Sequence, residues 1–192
     1  MLTMVLSLVA CRSARYVENR DDQMVNVGQI NVQDWESSAE QMLQSLLNSG
    51  VLGGHGDERK VLMVSHVENK TRQHIDTDML TKKIRIGLMR SGKAITTSYV
   101  KMGGPEDGAP DRVRELRTND EFNQNKVPTK GQMVAPEYSL SGKIIQLDAA
   151  SGKTKQSTFA FQLSLTNLKT GLAEWEDEVS VTKQGSKAAI GW

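Results

Sequence analysis

A chain of 192 residues is long enough for one packed domain and short for two. With 38% hydrophobic and 24% charged residues it reads as globular, not disordered or coiled-coil. The formal net charge is +1, so no basic footprint asks for nucleic acid, and a single cysteine excludes an internal disulfide.

Residues 1–10 are apolar and free of acidic groups. They are far too few to span a bilayer, which takes roughly 20 apolar residues, but they suit the apolar part of an export signal. Leu8-Val9-Ala10-Cys11 resembles the lipobox of bacterial lipoproteins. That resemblance implies cleavage before Cys11 and a lipid on its thiol and amine. Two or more acyl chains hold a protein stably on a membrane where one does not. Arg12, in place of the aspartate of the familiar inner-membrane signal, points to the outer membrane. Residues 11–33 are polar and mixed, with no sustained period, and read as a tether. Fully stretched, its 22 or so residues reach no more than about 75 Å.

The globular domain is expected over 34–192. Asp34 is placed as a helix N-cap, followed by Trp35, Ala39, Met42, Leu43, Leu46 and Leu47 at helical spacing and by Gly50 as the stop. After the Gly53-Gly54-His55-Gly56 loop, the nearly all-apolar 60–65 reads as a strand covered on both faces. Thr77 caps a second helix with Leu80, Ile84 and Leu88 on one stripe and Gly92 at its end. Residues 95–100 read as a strand. Residues 101–136 are charged and irregular, with a helix from Asp111 into Arg114-Glu115-Leu116.

Three strands finish the chain. The first is 138–147, and 149–152 is a turn. In 157–168, Phe159, Phe161, Leu163 and Leu165 alternate with Thr158, Gln162, Ser164 and Thr166. After Lys169-Thr170-Gly171, Ala173, Trp175, Val179 and Val181 point inward and Glu174, Glu176 and Glu178 outward. The order α-β-α-β-α-β-β-β predicts an α/β fold, a mixed β-sheet flanked by helices.

No catalytic pattern emerges. His55, His66 and His74 have no zinc spacing, and no cofactor or metal is called for. The glycines before Lys60 precede a strand, whereas a phosphate loop opens a helix. No G-x-S-x-G elbow occurs. Glu174, Glu176 and Glu178 share one strand face and read as solvated, without the opposed carboxylate a glycosidase needs. Phe122, in a polar loop, is either a satellite core contact or an interface anchor.

Several segments, in this order and spacing, resemble the outer-membrane lipoproteins of the LpoB type. They are the Asp34-Trp35 helix start, Val61-Leu62-Met63-Val64 leading to Asn69-Lys70-Thr71, Ser91-Gly92-Lys93, and Gln162-Leu163-Ser164-Leu165 running through Thr170-Gly171 to Glu174-Trp175. The resemblance implies a fold like the TolB N-terminal domain. It also implies a non-enzymatic role, in which an outer-membrane, periplasm-facing protein binds the small non-catalytic domain of a class A (bifunctional) penicillin-binding protein and activates peptidoglycan synthesis. Known members carry a long Pro-rich tether, whereas here no proline precedes Pro105. The competing class is an envelope secretion or assembly lipoprotein of the curli-export type. That role needs a long amphipathic hairpin, and no strand pair reads as long enough. By elimination, 101–136 is left as the partner-binding segment, with Arg114, Arg117, Phe122 and Asn123 as its candidate contacts and Met102 as a further apolar group.

Overall fold

The computed structural model describes residues 25–53, 58–99 and 107–186. The expected signal, Cys11, most of the tether, His55, Val100, Met102 and the last six residues lie outside them. The elements are α1 (Val32–Asn48), β1 (Lys60–Lys70), α2 (Asp78–Arg90), β2 (Ala94–Thr96), α3 (Ala109–Glu115), β3 (Tyr138–Ser151), β4 (Thr154–Asn167) and β5 (Ala173–Ser186), with short 3-10 turns at Leu116–Thr118 and Gln124–Lys126. One five-stranded sheet has the order β2-β1-β3-β4-β5. β1 pairs in parallel with β2 and β3, while β3, β4 and β5 form an antiparallel meander. The mixed α/β sheet expected from the sequence is therefore present.

The apolar stripes meet as their spacing requires. α1 lies against β5 and α2, and α2 lies against β1 and β2. Phe159, Phe161, Leu163 and Leu165 are buried with Leu80, Ile84 and Leu88 beneath this helical layer. The Trp35 ring meets Phe161 edge-on, with centroids 5.5 Å apart. Leu62, Met63 and Val64 are consecutive and all buried, so β1 is covered on both faces. Between Val64 and Val67 it bulges by one residue against β3. Gly142 pairs with Val67 there, and a Cβ on it would lie 2.2 Å from the Gln162 carbonyl oxygen. Only glycine lets β4 come that close.

α1 begins three residues before the expected start. Asn31, not Asp34, is the N-cap: its side chain accepts from the Asp34 N–H at 3.0 Å, and the Asp34 carboxylate accepts from the Asn31 N–H at 2.8 Å. Asp34 also forms a buried ion pair with Lys183 of β5. The same ammonium donates to the Gln29 carbonyl at 2.8 Å and lies 5.9 Å from the Phe159 ring centroid. Further along α1, the Trp175 indole N–H donates to Ser45 Oγ at 3.4 Å. α1 thus runs antiparallel along β5, fastened at two levels.

Other expectations need correction. Val27 and Ile30 are buried in the core, so packing starts ahead of residue 34 and the segment expected to be tether is partly domain. The second strand stops at Thr96, where the Thr97 N–H makes its last bond to the Leu62 carbonyl. The short third helix starts at Ala109, two residues before Asp111. The turn expected at 149–152 is pushed outward, because Ser151 and Thr154 still pair around Gly152. Ala173 is exposed, since a register shift between Leu165 and Thr166 displaces the start of β5. The hairpins are also longer than expected, with 14 residues in each of β3, β4 and β5. Length therefore does not argue against a barrel-inserting hairpin. What does is that the apolar face of this meander is already buried under α1 and α2.

Replacing Lys183 by Met leaves the Asp34 carboxylate buried without its cation. The expected cost is about 3–5 kcal/mol in urea unfolding. Adding Asp34→Asn should recover part of that loss. Costs that simply add would show that the two groups are not coupled.

Candidate docking surface

Between β2 and β3 the chain makes an excursion whose described part is 107–136. Asp107 receives the Ala109 N–H at 3.0 Å, Pro110 sits in the first turn, and α3 lasts seven residues before tightening into a 3-10 turn. The Tyr99 hydroxyl donates to Asp111 at 2.9 Å, tying α3 to the chain just after β2. α3 buries no residue of its own, and Val127 is the buried apolar contact of this stretch.

The four candidate contacts play different parts. Arg117 is a strut: Nε donates to the Pro128 carbonyl at 2.7 Å and Nη2 to the Thr129 carbonyl at 3.1 Å. Arg114 is half-buried and donates to the Pro110 carbonyl at 2.7 Å, one turn back. Asn123 caps the second 3-10 turn by accepting the Asn125 N–H at 3.1 Å. Phe122 is 47% exposed, which settles the sequence ambiguity against a core role. Sequence reasoning missed Gln124. Its amide donates to the carbonyls of Leu116, Asn119 and Phe122 at 3.1, 2.6 and 3.1 Å, and so draws the Arg117 and Phe122 turns together. A glutamine in a polar loop gives no sequence signal for this.

The excursion returns to the sheet where β1 and β3 begin. The Glu137 N–H donates to the Val61 carbonyl and the Leu168 N–H to the Glu137 carbonyl, both at 2.8 Å. The Glu137 carboxylate pairs with Lys60 at 3.1 Å, and this bond and charge hold the Lys60 ammonium above its ordinary pKa. The adjoining β4–β5 turn is closed by Asn167, whose side chain accepts from the N–H groups of Lys169 and Thr170 at 2.9 and 3.2 Å. Gly171, at φ 74°, takes the left-handed position that another residue would occupy only with strain. Asn167 also donates to Glu174 at 2.8 Å, and the Tyr138 hydroxyl donates to the same carboxylate at 3.0 Å. Burial, together with this bond to an anion, pushes the Tyr138 phenol up.

On the open face of the sheet, Glu176 and Glu178 accept from Ser164 and Gln162 at 2.7 and 2.5 Å, and Thr158 meets Thr182 at 2.9 Å. This is the solvated polar face that the alternation predicted. His66 and His74 are exposed, and no cluster of metal-ligating residues occurs among the described residues.

The opposite end of the sheet receives the N-terminal segment. Gln73 clamps Ile30, accepting its N–H at 2.8 Å and donating to its carbonyl at 3.3 Å. Next to it a cleft of about 350 Å³ is lined by Gly28, Arg72, Gln146, Asp148 and Ser157. The Asp148 carboxylate there accepts from Ser157 at 2.7 Å and from Gln146 at 3.0 Å, and pairs with Arg72 at 3.0 Å. The Ser157 bond foremost, then Gln146 and Arg72, hold it below the ordinary carboxylate range.

The segment before α1 is therefore held at one end of the sheet, and the 107–136 excursion returns beside the β4–β5 turn at the other. The family model of the peptidoglycan-synthase activator LpoB matches residues 34–181. Among solved structures, the LpoB C-terminal domain from Salmonella enterica is 17% identical with a TM-score of 0.45, covering 77% of this chain and 98% of that one. The LpoB C-terminal domain from Escherichia coli is 16% identical with a TM-score of 0.44, covering 78% and 99%. Lipoprotein GNA1162 from Neisseria meningitidis is 12% identical with a TM-score of 0.39, covering 66% and 84%. No curated protein matches in sequence. The family match spans well over half of the sequence, and the chain belongs to the LpoB family of peptidoglycan-synthase activators.

Proposed function

We propose that this chain is an outer-membrane lipoprotein that binds the small non-catalytic domain of a class A penicillin-binding protein and activates its peptidoglycan synthesis. The observation that carries this reading is the family match over 34–181. The chain performs no chemistry of its own in this account; it acts by binding.

Activation by binding has a strict requirement. The activator shifts its partner toward the active state only as far as it binds that state more tightly. A tenfold shift corresponds to about 1.4 kcal/mol of differential affinity, well within the usual range for allosteric coupling. Docking is assigned to the 107–136 excursion. Phe122 supplies exposed apolar area and Asn123 lies beside it. Arg117 and Arg114 hold the loop in shape, with their remaining donors available to partner carboxylates. Loops carried by a rigid scaffold are a common place for such contacts. Lipid on Cys11 anchors the chain, and residues 12–24 lead from the anchor to the domain.

Activation and anchoring are separable. The purified full chain with Cys11→Ala should still raise the glycan-polymerising rate of a purified class A synthase, because docking needs no lipid. No stimulation at saturating concentration would overturn the reading. In cells, radiolabelled palmitate should enter the parent and not the Cys11→Ala chain. Equal labelling of both would remove Cys11 from the account.

A further inference from the structure

We infer that the free edge of β3 over 146–151, at the hairpin-tip end of the sheet, takes up an extended acidic segment of another protein as an added strand. The edge is free because β1 stops short of it. β1 and β3 pair only as far as Lys70 and Ile145, whereas β3 and β4 stay paired to Ser151 and Thr154. Residues 146–151, about 20 Å of strand, therefore have a neighbouring strand on one side alone among the described residues.

The turn decides which backbone groups face this edge. Gly152 and Lys153 form a two-residue hairpin loop, with Gly152 at φ 56°. The residues flanking such a loop exchange hydrogen bonds, and the pattern alternates back along the ladder. Leu147, Ala149 and Ser151 thus bond to β4, and the Glu137 carbonyl, on the same parity, likewise accepts from Leu168. Asp148 and Ala150 turn their N–H and C=O groups the other way, toward the position a continued β1 would fill. These four backbone groups have no partner among the described residues. They are the donors and acceptors that an added strand pairs with.

Charge selects the occupant. The edge borders the cleft of about 350 Å³, whose lining includes Arg72, Asp148, Ala149, Ala150 and Lys155. The Asp148 carboxylate is already engaged by Ser157, Gln146 and Arg72. The Arg72 side chain is 83% exposed and spends one nitrogen on Asp148, leaving donors for a second carboxylate. Lys155, opposite Ala150, is exposed, and so is Lys153 in the turn. Ala149 and Ala150 add no charge and little bulk. An incoming strand therefore meets open backbone groups, small side chains and a surplus of positive charge. That suits a segment carrying Asp or Glu and disfavours one carrying Lys or Arg.

The test uses the full chain with Cys11→Ala and a fluorescein-labelled octapeptide of alternating valine and glutamate. Fluorescence anisotropy should show binding of this peptide and none of its valine–lysine counterpart. Hydrogen exchange should slow at the Asp148 and Ala150 amides when the peptide binds. Adding Arg72→Ala and Lys155→Ala together should weaken binding by about tenfold or more. Ala150→Pro removes an outward N–H and spares the β4 ladder, a position where strands tolerate proline. It should weaken binding by about fivefold, the worth of one hydrogen bond, with the urea midpoint unmoved. If proline unsettles the hairpin, the two alanine substitutions still decide. Binding that ignores both cations, or that leaves the Asp148 and Ala150 amides unprotected, overturns the inference. So does a glutamate peptide that fails to bind at about millimolar concentration, as it would if a segment of this chain itself filled the cleft. Sedimentation of the chain alone tests a second copy as occupant. Self-association abolished by Arg72→Ala and Lys155→Ala would give the edge to Glu174, Glu176, Asp177 and Glu178 on β5 of another copy, and would overturn the separate partner. Each of these failures leaves the activator reading standing, because the docking assigned to 107–136 uses none of these residues.

Discussion

The ion pair between Asp34 and Lys183 joins the start of α1 to the end of β5, across most of the sequence. A buried pair of this kind adds little net stability, because desolvating two charges costs nearly what their attraction returns. Its effect is on specificity. With Lys183 also bonded to the Gln29 carbonyl, α1 can start in only one place, and the 25–30 segment can enter along only one path. The Trp175–Ser45 bond sets the direction of the helix along β5, and Trp35 then falls on Phe161. The helical layer, and with it the burial of β4, follows from where α1 is pinned.

This arrangement divides the molecule into two ends with different duties. At one, Gln73, Lys183 and Asp148 are saturated with internal partners, and the chain enters through backbone that those side chains hold. At the other end, the 107–136 excursion returns to the sheet beside the Asn167 turn, where the Leu168 N–H bonds the Glu137 carbonyl. A protein that works by being held at one place while touching another needs this separation.

Much of the fold was legible in the sequence because burial imposes a period. The alternation of Phe159, Phe161, Leu163 and Leu165 and the stripe of Leu80, Ile84 and Leu88 identify their elements without further information, and both groups are buried. The start of α1 was not legible. Asn31 and Asp34 are both good capping residues, and the choice depends on Lys183, whose distance in sequence is 149 residues. Lys183 lies on the inward parity of β5, yet a lysine there signals burial only if its partner is known. Ala173 was misplaced because a bulge leaves no reliable trace in a hydrophobic pattern. Of the candidate contacts, Phe122 stood out by type, and the structure shows it exposed. Arg117 also stood out, but two backbone carbonyls occupy it. Leu168 and Leu172 gave no signal, since a leucine at a strand end reads as part of the strand. Only the bond from Leu168 to Glu137, made by the folded chain, brings their turn against the end of the excursion.

The central claim is that this chain activates a synthase by docking through the 107–136 excursion. Amide hydrogen exchange of the full Cys11→Ala chain, free and bound to a class A synthase, tests it most directly. The account predicts slowed exchange on binding within 107–136, in the loop around Phe122 above all, with no change at Ile30, Gln73 or the Gly152 turn. Slowing confined to that entry end, with 107–136 unchanged, would contradict it.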